Sequence, residues 1–340
     1  MSVTIKDIAN DTNLSLATIS KYLNGKNILP ENQALIEASI KKLNYMPNKQ
    51  ARMLRSKKTN TIAILLPSIS DYFWGSICSY IEDYMQQHHF STIISSYNSK
   101  YQNYLDVFRQ LMSAQIDGVI IVPELNAPIA LIELLQNNHV PVVYLDQLIE
   151  SPLADVVTSN NFQGAYTATE YFIKHGHKLL GVIAGEKDSY TTKERIRGFH
   201  SACNDYQIPI ENRMVVCSDY TSKTADLSFK KMMNLATRPT AILFLGYFMT
   251  IAAITGLKKY KIHLPEDLSI ISFDDDEIFS AFDPPITVVV QNLQKLGYEC
   301  SELLLKRIRN NYSKFPERKI IETKLLERHS VTTKKYQPKN

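Results

Sequence analysis

From residue 62 onward, short β-branched apolar runs recur between helical stretches, and this alternation leaves few architectures open. The runs at 62–66, 92–96, 118–122 and 142–145 make one series, and those at 180–184, 215–217, 241–245 and 269–273 make a second. Runs apolar at every position suit strands buried on both faces, as in parallel sheets covered by helices. Two consecutive β-α series predict an α/β core of two doubly wound lobes, with a ligand in the cleft at the C-terminal ends of the strands. At 340 residues and 44% hydrophobic, the chain is long enough for this core and a further domain.

The first 45 residues follow a different period. Thr4 is a good N-cap and Asp7, three residues on, makes a capping-box-like pair; Ile5, Ile8 and Ala9 supply the apolar face of a first helix. Asn13 and Leu14 break it. Ser15 starts a second helix with Thr18 at its third position, and Asn24-Gly25 can close that helix. A third opens at Pro30 and is expected to bury Ala34, Ile36, Ile40 and Leu43. Three short helices with a tight turn between the first two predict an all-α helix-turn-helix headpiece. The basic stretch 48–55 is too short to be stable alone and reads as a conditional helix.

Charge separates the two parts. Residues 1–60 hold ten Lys or Arg against four Asp or Glu, a surplus of +6, whereas the remaining 280 residues hold 28 against 30. A basic head on a near-neutral body fits a polyanion binder. Cys78, Cys203, Cys217 and Cys300 lack C-x-x-C spacing, so neither a zinc site nor a disulfide framework is expected. No segment approaches the roughly 18 apolar residues of a membrane span. The opening Met1-Ser2-Val3-Thr4 is not an apolar leader, and a cytoplasmic protein is expected.

Several motifs, in a fixed order, carry a family resemblance: Val3-Thr4-Ile5-Lys6-Asp7-Ile8-Ala9, Ser15-x-x-Thr18-Ile19-Ser20-Lys21-Tyr22-Leu23-Asn24-Gly25, Leu43-Asn44-Tyr45-x-Pro47-Asn48 and Ala51-Arg52-x-Leu54. Beyond residue 60 follow Asp117-Gly118-Val119-Ile120, Pro141-Val142-Val143, His175-Gly176-His177, Glu194-Arg195-x-x-Gly198-Phe199 and Pro265-Glu266-Asp267-Leu268-Ser269. Together they resemble the lactose-repressor (LacI/GalR) family of bacterial transcriptional regulators over nearly the whole chain. The resemblance implies a headpiece at 1–46, a hinge helix and linker at 47–61, and a periplasmic-binding-protein-like core at 62–340. Within that core it implies an N-lobe of about 62–160 plus 291–321 and a C-lobe of about 161–290 plus 322–332. A homodimer on a pseudo-palindromic DNA operator, controlled by a small molecule and most simply a sugar, is the implied function.

For the headpiece, the second helix is expected in the major groove. Leu16, Ala17 and Lys21 would face bases, with Thr4, Ser15, Thr18, Ser20 and Asn24 near the backbone. Lys21 can donate to guanine, while Leu16 and Ala17 offer only apolar contact, so this head makes few direct hydrogen bonds to bases. The hinge resemblance assigns Leu54 as a minor-groove wedge, with Asn48, Ala51, Arg52 and Arg55 beside it. For the cleft it assigns Asp71, Tyr72, Phe73, Trp74, Asp146, Arg195, Tyr220, Gly246, Tyr247, Asp274 and Leu293, a mix of charges and aromatic faces suited to a sugar. Tyr72 and Leu293 have the simplest alternative, plain packing. Where the family usually carries Asn-Asp, this chain has Gly246-Tyr247, which removes one amide and leaves an aromatic face.

Enzyme signatures are absent, and no cofactor is expected. Consecutive Asp274-Asp275-Asp276 alternate in direction and do not converge on a metal. His175 and His177 flank a glycine at a helix end, where they are expected to complement the helix dipole. A periplasmic solute-binding protein would share the core, but would need a secretion signal and no headpiece.

Overall fold

The computed structural model describes residues 3–23, 26–45, 58–69, 72–97, 104–123, 134–135, 137–148, 154–218 and 222–334. They fall into two compact units, Met1–Thr59 and Asn60–Asn340. The first contains α1 (Ile5–Thr12), α2 (Leu16–Leu23) and α3 (Pro30–Leu43). Its core is Ile8, Ile19 and Ile36, one fully buried isoleucine from each helix, ringed by Ile5, Ala9, Leu14, Tyr22, Leu23, Ile40 and Leu43. So small a core leans on its caps. The Asp7 carboxylate accepts from both the N–H and the hydroxyl of Thr4 at 2.7 Å, which holds the carboxyl below its usual range. Asn13 ends α1 in the left-handed region, φ 52°. The Thr18 N–H donates to Ser15 Oγ at 3.1 Å, capping α2. Ala34 does not join the core as expected: it is exposed, because it lies about 200° round α3 from the buried Ile36.

The second unit is an α/β core built on two six-stranded sheets. The first comprises β1 (Thr61–Leu66), β2 (Ser91–Ser96), β3 (Gly118–Ile121), β4 (Val142–Leu145), β5 (Asp155–Ser159) and β11 (Arg318–Ile321). It is all parallel, in the order β2-β1-β3-β4-β5-β11. The second comprises β6 (Leu180–Ala184), β7 (Val215–Cys217), β8 (Ala241–Phe244), β9 (Ser269–Phe273), β10 (Thr287–Val290) and β12 (Lys324–Leu326). Its order is β7-β6-β8-β9-β10-β12, with only β12 antiparallel. All eight strands expected from the sequence are present, and β5, β10, β11 and β12 are additional. Asp155, Thr158 and Ser159 interrupt the apolar pattern of β5 although all are buried, and β11 and β12 are edge strands with exposed positions.

Helices cover both faces of the first sheet. α4 (Tyr72–Gln87) and the long α11 (Leu293–Ile308) bury Ile77, Ile81, Leu296, Leu303 and Leu304 against one face. α5 (Tyr104–Ser113) covers the other with Val107, Phe108 and Leu111. The second sheet carries α6 (Asn161–Lys174), α7 (Tyr190–Asp205), α8 (Ser222–Met233) and α9 (Tyr247–Tyr260), with the short α10 (Glu277–Ala281) after β9. α6 and α7 approach so closely that a Cβ on Gly198 would lie 2.2 Å from the Phe162 carbonyl oxygen. The chain passes between the sheets three times, at 160, at 291–292 and at 322–323.

One buried ionic group closes the first sheet. Arg307 on α11 donates from Nε and Nη2 to Asp155 at 2.7 and 2.9 Å, both side chains being fully buried, and Nη2 also donates to Glu317 at 2.9 Å. The Glu317 N–H returns to Asp155 Oδ1 at 2.7 Å, so this cluster sets where β11 joins β5. An Asp155→Ala substitution leaves the buried Arg307 with Glu317 as its remaining carboxylate and is expected to cost about 3 kcal/mol, read as a lower midpoint in urea unfolding. Pairing it with Arg307→Met is expected to restore most of that midpoint.

Candidate functional site

In both sheets the strand order reverses where the chain first returns past its starting strand, at β1 beside β3 and at β6 beside β8. Such switch points open a crevice at the C-terminal strand ends. Here they bound a cavity of about 1140 Å³ whose walls come from both lobes. Of the eleven cleft residues expected from the sequence, Tyr72, Phe73, Trp74, Asp146, Arg195, Gly246, Tyr247, Asp274 and Leu293 line it. Asp71 and Tyr220 lie outside the described residues. Tyr72 stands exposed at the rim, while Phe73, Trp74 and Leu293 pack partly against the core of the first lobe.

Arg195 sits in the second turn of α7, whose N-cap is Ser189. It is 5% exposed. Its Nε donates to Asn161 Oδ1 at 2.7 Å, its Nη1 to the Leu245 carbonyl at 2.8 Å, and its Cζ lies 3.7 Å above the centre of the Phe273 ring. A guanidinium held by two bonds and a ring face is fixed in place before any ligand arrives. Asp146 ends β4 at φ 66° and Asp274 ends β9 at φ 74°, turns that aim each carboxylate off its strand. Burial pushes Asp146 up to about 6, opposed by the Arg195 charge and reinforced by that of Asp274. Asp146 Oδ1 has no hydrogen-bond partner among the described residues. Asp274 accepts from Gln291 Nε2 at 2.5 Å.

The neighbouring carboxylates serve separate tasks. Asp275 takes two bonds from Arg328, each 2.8 Å, and Asp276 caps α10 by accepting from the Ile278 N–H at 3.0 Å. Among the described residues no group of three His, Cys, Asp or Glu is placed to hold a metal. Burial lowers His177 to about 4, and its ring bonds to the Thr332 carbonyl and lies 2.9 Å from Thr240 Oγ1. This corrects the expected dipole role: a neutral, buried imidazole links Thr332 to Thr240 at the entry to β8. His175 does sit at the end of α6, with Nδ1 2.8 Å from the Tyr171 carbonyl.

Sequence reasoning missed the residues that span the cleft. Gln147 donates to Ser189 and Thr191 at 3.2 Å each and accepts from the Tyr190 N–H at 3.0 Å. Arg318 donates to the Tyr190 hydroxyl at 2.6 Å. Ser189 and its partner Gln147 lie 42 residues apart, and no local pattern links them.

In the headpiece, Leu16 is 46% exposed, and Ala17, Lys21, Ser15 and Thr4 are exposed with it. Thr18 and Ser20 are half-buried. The first turn of α2 therefore presents an open face, as a groove-reading helix requires. Asn24, Asn48, Ala51, Arg52, Leu54 and Arg55 lie outside the described residues.

Residues 4–48 match the family of bacterial regulatory proteins, lacI family, and residues 169–331 match the periplasmic binding protein-like domain. The HTH-type transcriptional repressor PurR of Aliivibrio salmonicida (strain LFI1238) is 30% identical over 321 residues, covering 94% of this chain and 95% of that protein. The chain belongs to the lacI family. It is a DNA-binding transcriptional repressor with an effector-binding domain, not an enzyme. The crystal structure of the Lac repressor dimer bound to operator and the anti-inducer ONPF shares its fold, with a TM-score of 0.85 at 23% identity over 98% of this chain and all of that one. A LacI family regulator from Enterococcus faecium with bound ribose matches at 26% identity and a TM-score of 0.72, covering 81% of this chain and all of that one. No helix among the described residues is long and apolar enough to cross a membrane.

The raised Asp146 carboxyl has a thermodynamic consequence. Its folded value of about 6 exceeds the ordinary 3.8, so its contribution to stability is full below 3.8 and is lost as pH rises through 6. Asp146→Asn is therefore expected to raise Tm by about 5 °C at pH 7.5, with the gain shrinking towards zero near pH 4 in a differential-scanning series.

Proposed function

We propose that this repressor binds a pseudo-palindromic operator as a homodimer in the cytoplasm, and that a small molecule in the inter-lobe cavity changes its DNA affinity. The observation that carries this reading is the convergence of Asp146, Arg195 and Asp274 with Trp74 and Tyr247 on one cavity, in a chain whose headpiece leaves α2 open. In the groove, Lys21 supplies the hydrogen bond to a base, Leu16 and Ala17 the apolar contacts, and Thr4, Ser15, Thr18, Ser20 and Asn24 the backbone contacts. Asn48, Ala51, Arg52 and Arg55 would hold the hinge on phosphates while Leu54 opens a base step.

A carbohydrate suits the cavity because two carboxylates and a guanidinium match hydroxyl groups, and an aromatic face covers the apolar side of a ring. The ribose bound by the Enterococcus faecium regulator supports it. A second reading rests on Gly246, Tyr247 and Phe248: with no amide at 246 and two aromatic side chains following, the wall also favours a flat nitrogen heterocycle. Thermal-shift titration with ribose, other monosaccharides and free nucleobases separates the two. No shift with any of them would count against both.

Operator sites come from selection on random-sequence DNA followed by gel-shift titration. Absence of sequence-specific retardation at moderate salt would sink the operator reading. Lys21→Ala is expected to lose about 1–3 kcal/mol of specific binding and to relax preference at one base pair, whereas equal weakening on all sequences would make Lys21 a phosphate contact. Arg195→Ala is expected to abolish the response to whichever compound shifts Tm, while the variant still retards operator DNA in a sequence-specific manner.

A further inference from the structure

Two of the three passages between the lobes carry a buried carboxamide bonded to a charged wall of the cavity. At the first passage, Asn161 is 2% exposed. Its Nδ2 donates to the Ser159 carbonyl at 3.1 Å and to Thr158 Oγ1 at 3.4 Å, both at the end of β5, while its Oδ1 takes the 2.7 Å bond from Arg195 Nε. At the second passage, Gln291 is 5% exposed, and its Nε2 donates to Asp274 Oδ1. The third passage is tied to the first: the Asn160 N–H donates to the Ile321 carbonyl at 2.7 Å, and Asn160 Nδ2 donates to Glu322 at 3.2 Å.

Lobe rotation is absorbed by torsion in a few connecting residues, which here are these passages. An acceptor for Arg195 could have stood on any neighbouring helix. It stands instead on the residue that opens α6 directly after the crossing, and the acceptor-facing amide of Gln291 likewise opens the return crossing. A force on Arg195 or Asp274 therefore reaches the torsion-bearing backbone through one side chain, with no intervening packed layer to deform.

We propose that Asn161 and Gln291 are positioning residues that couple Arg195 and Asp274 to the angle between the lobes, so that a ligand touching those two charges resets the passages directly. This rests on the cavity being the effector site. It adds to that reading Asn161, which stands behind Arg195 outside the cavity wall, and for Gln291, itself in that wall, a task through Asp274.

The test uses the full chain and needs no ligand. Hydrogen exchange of the Asn160 amide reports the first passage. Exchange is expected to rise about tenfold in R195A and N161A, and no further in the double variant, because both break the same Arg195–Asn161 link. N161D keeps an oxygen for Arg195 but cannot donate to β5, so it is expected to match N161A. Wild-type exchange in R195A or N161D, or multiplied effects in the double variant, overturns the relay. The second passage supplies an independent pair should the Asn161 variants fail to fold. D274A and Q291M are expected to widen the distance distribution between spin labels at E82C and Cys217, the latter being exposed while Cys78, Cys203 and Cys300 are buried. D274N, which keeps the acceptor oxygen, is expected to retain the wild-type distribution. Equal distributions for D274A and wild type overturn the proposal. Failure of the effector reading looks different: no sugar or nucleobase moves the wild-type distance, whatever the variants do.

Discussion

Parallel strands buried on both faces leave polar chemistry nowhere to go but their ends. In this core Ile62, Ala63, Ile64, Leu65 and Leu66 follow one another without a polar residue, and β4, β6, β8 and β9 are as fully covered. Charge placed within them would be stripped of water on every side. Asp146 and Asp274 therefore appear at the first position past a strand, where a left-handed turn frees the side chain, and both lobes deliver such ends to the same crevice. The cavity is a consequence of how the sheets are covered.

That placement still carries a cost. Asp146 keeps an oxygen without a partner among the described residues in a buried site, and its raised proton affinity records the opposition of its surroundings to the charge. Arg195 shows the opposite management: every interaction it makes, with Asn161, with the Leu245 carbonyl and with the Phe273 ring, holds it in one orientation. A preorganised cation beside a poorly satisfied carboxylate is an arrangement that a polar ligand can improve, and improvement on binding is what differential affinity between two lobe angles requires.

The headpiece works by different means. Three isoleucines cannot hold it by burial alone, so capping at Thr4 and Ser15 and cross-helix bonds such as Tyr22 to Glu37 at 3.0 Å and Lys42 to Asp11 at 2.6 Å share the task. These contacts leave Leu16 and Ala17 outside the core. Leu16, 46% exposed in the first turn of α2, stands outside the isoleucine core, which suits the proposed apolar contact with a base.

Much of this was legible in one dimension. Caps, apolar periods and strand runs are local properties, so α1 to α3 and eight strands could be read from neighbours a few residues away, whereas Asp146, Arg195 and Asp274 were assigned to the cleft by the family resemblance. The motif order tied them to a family. Tertiary structure alone decided the rest, because those features depend on partners far apart in the chain. β5 hides behind Asp155, which looks like a loop residue until Arg307 neutralises it 152 residues later. His177 becomes a neutral tether only once Thr240 and Thr332 surround it. Gln147 closing on Ser189, and Asn161 and Gln291 binding the cavity charges at the passages, follow from how two lobes face each other. No local pattern encodes that, since an amide reads alike in a loop and in a buried hinge.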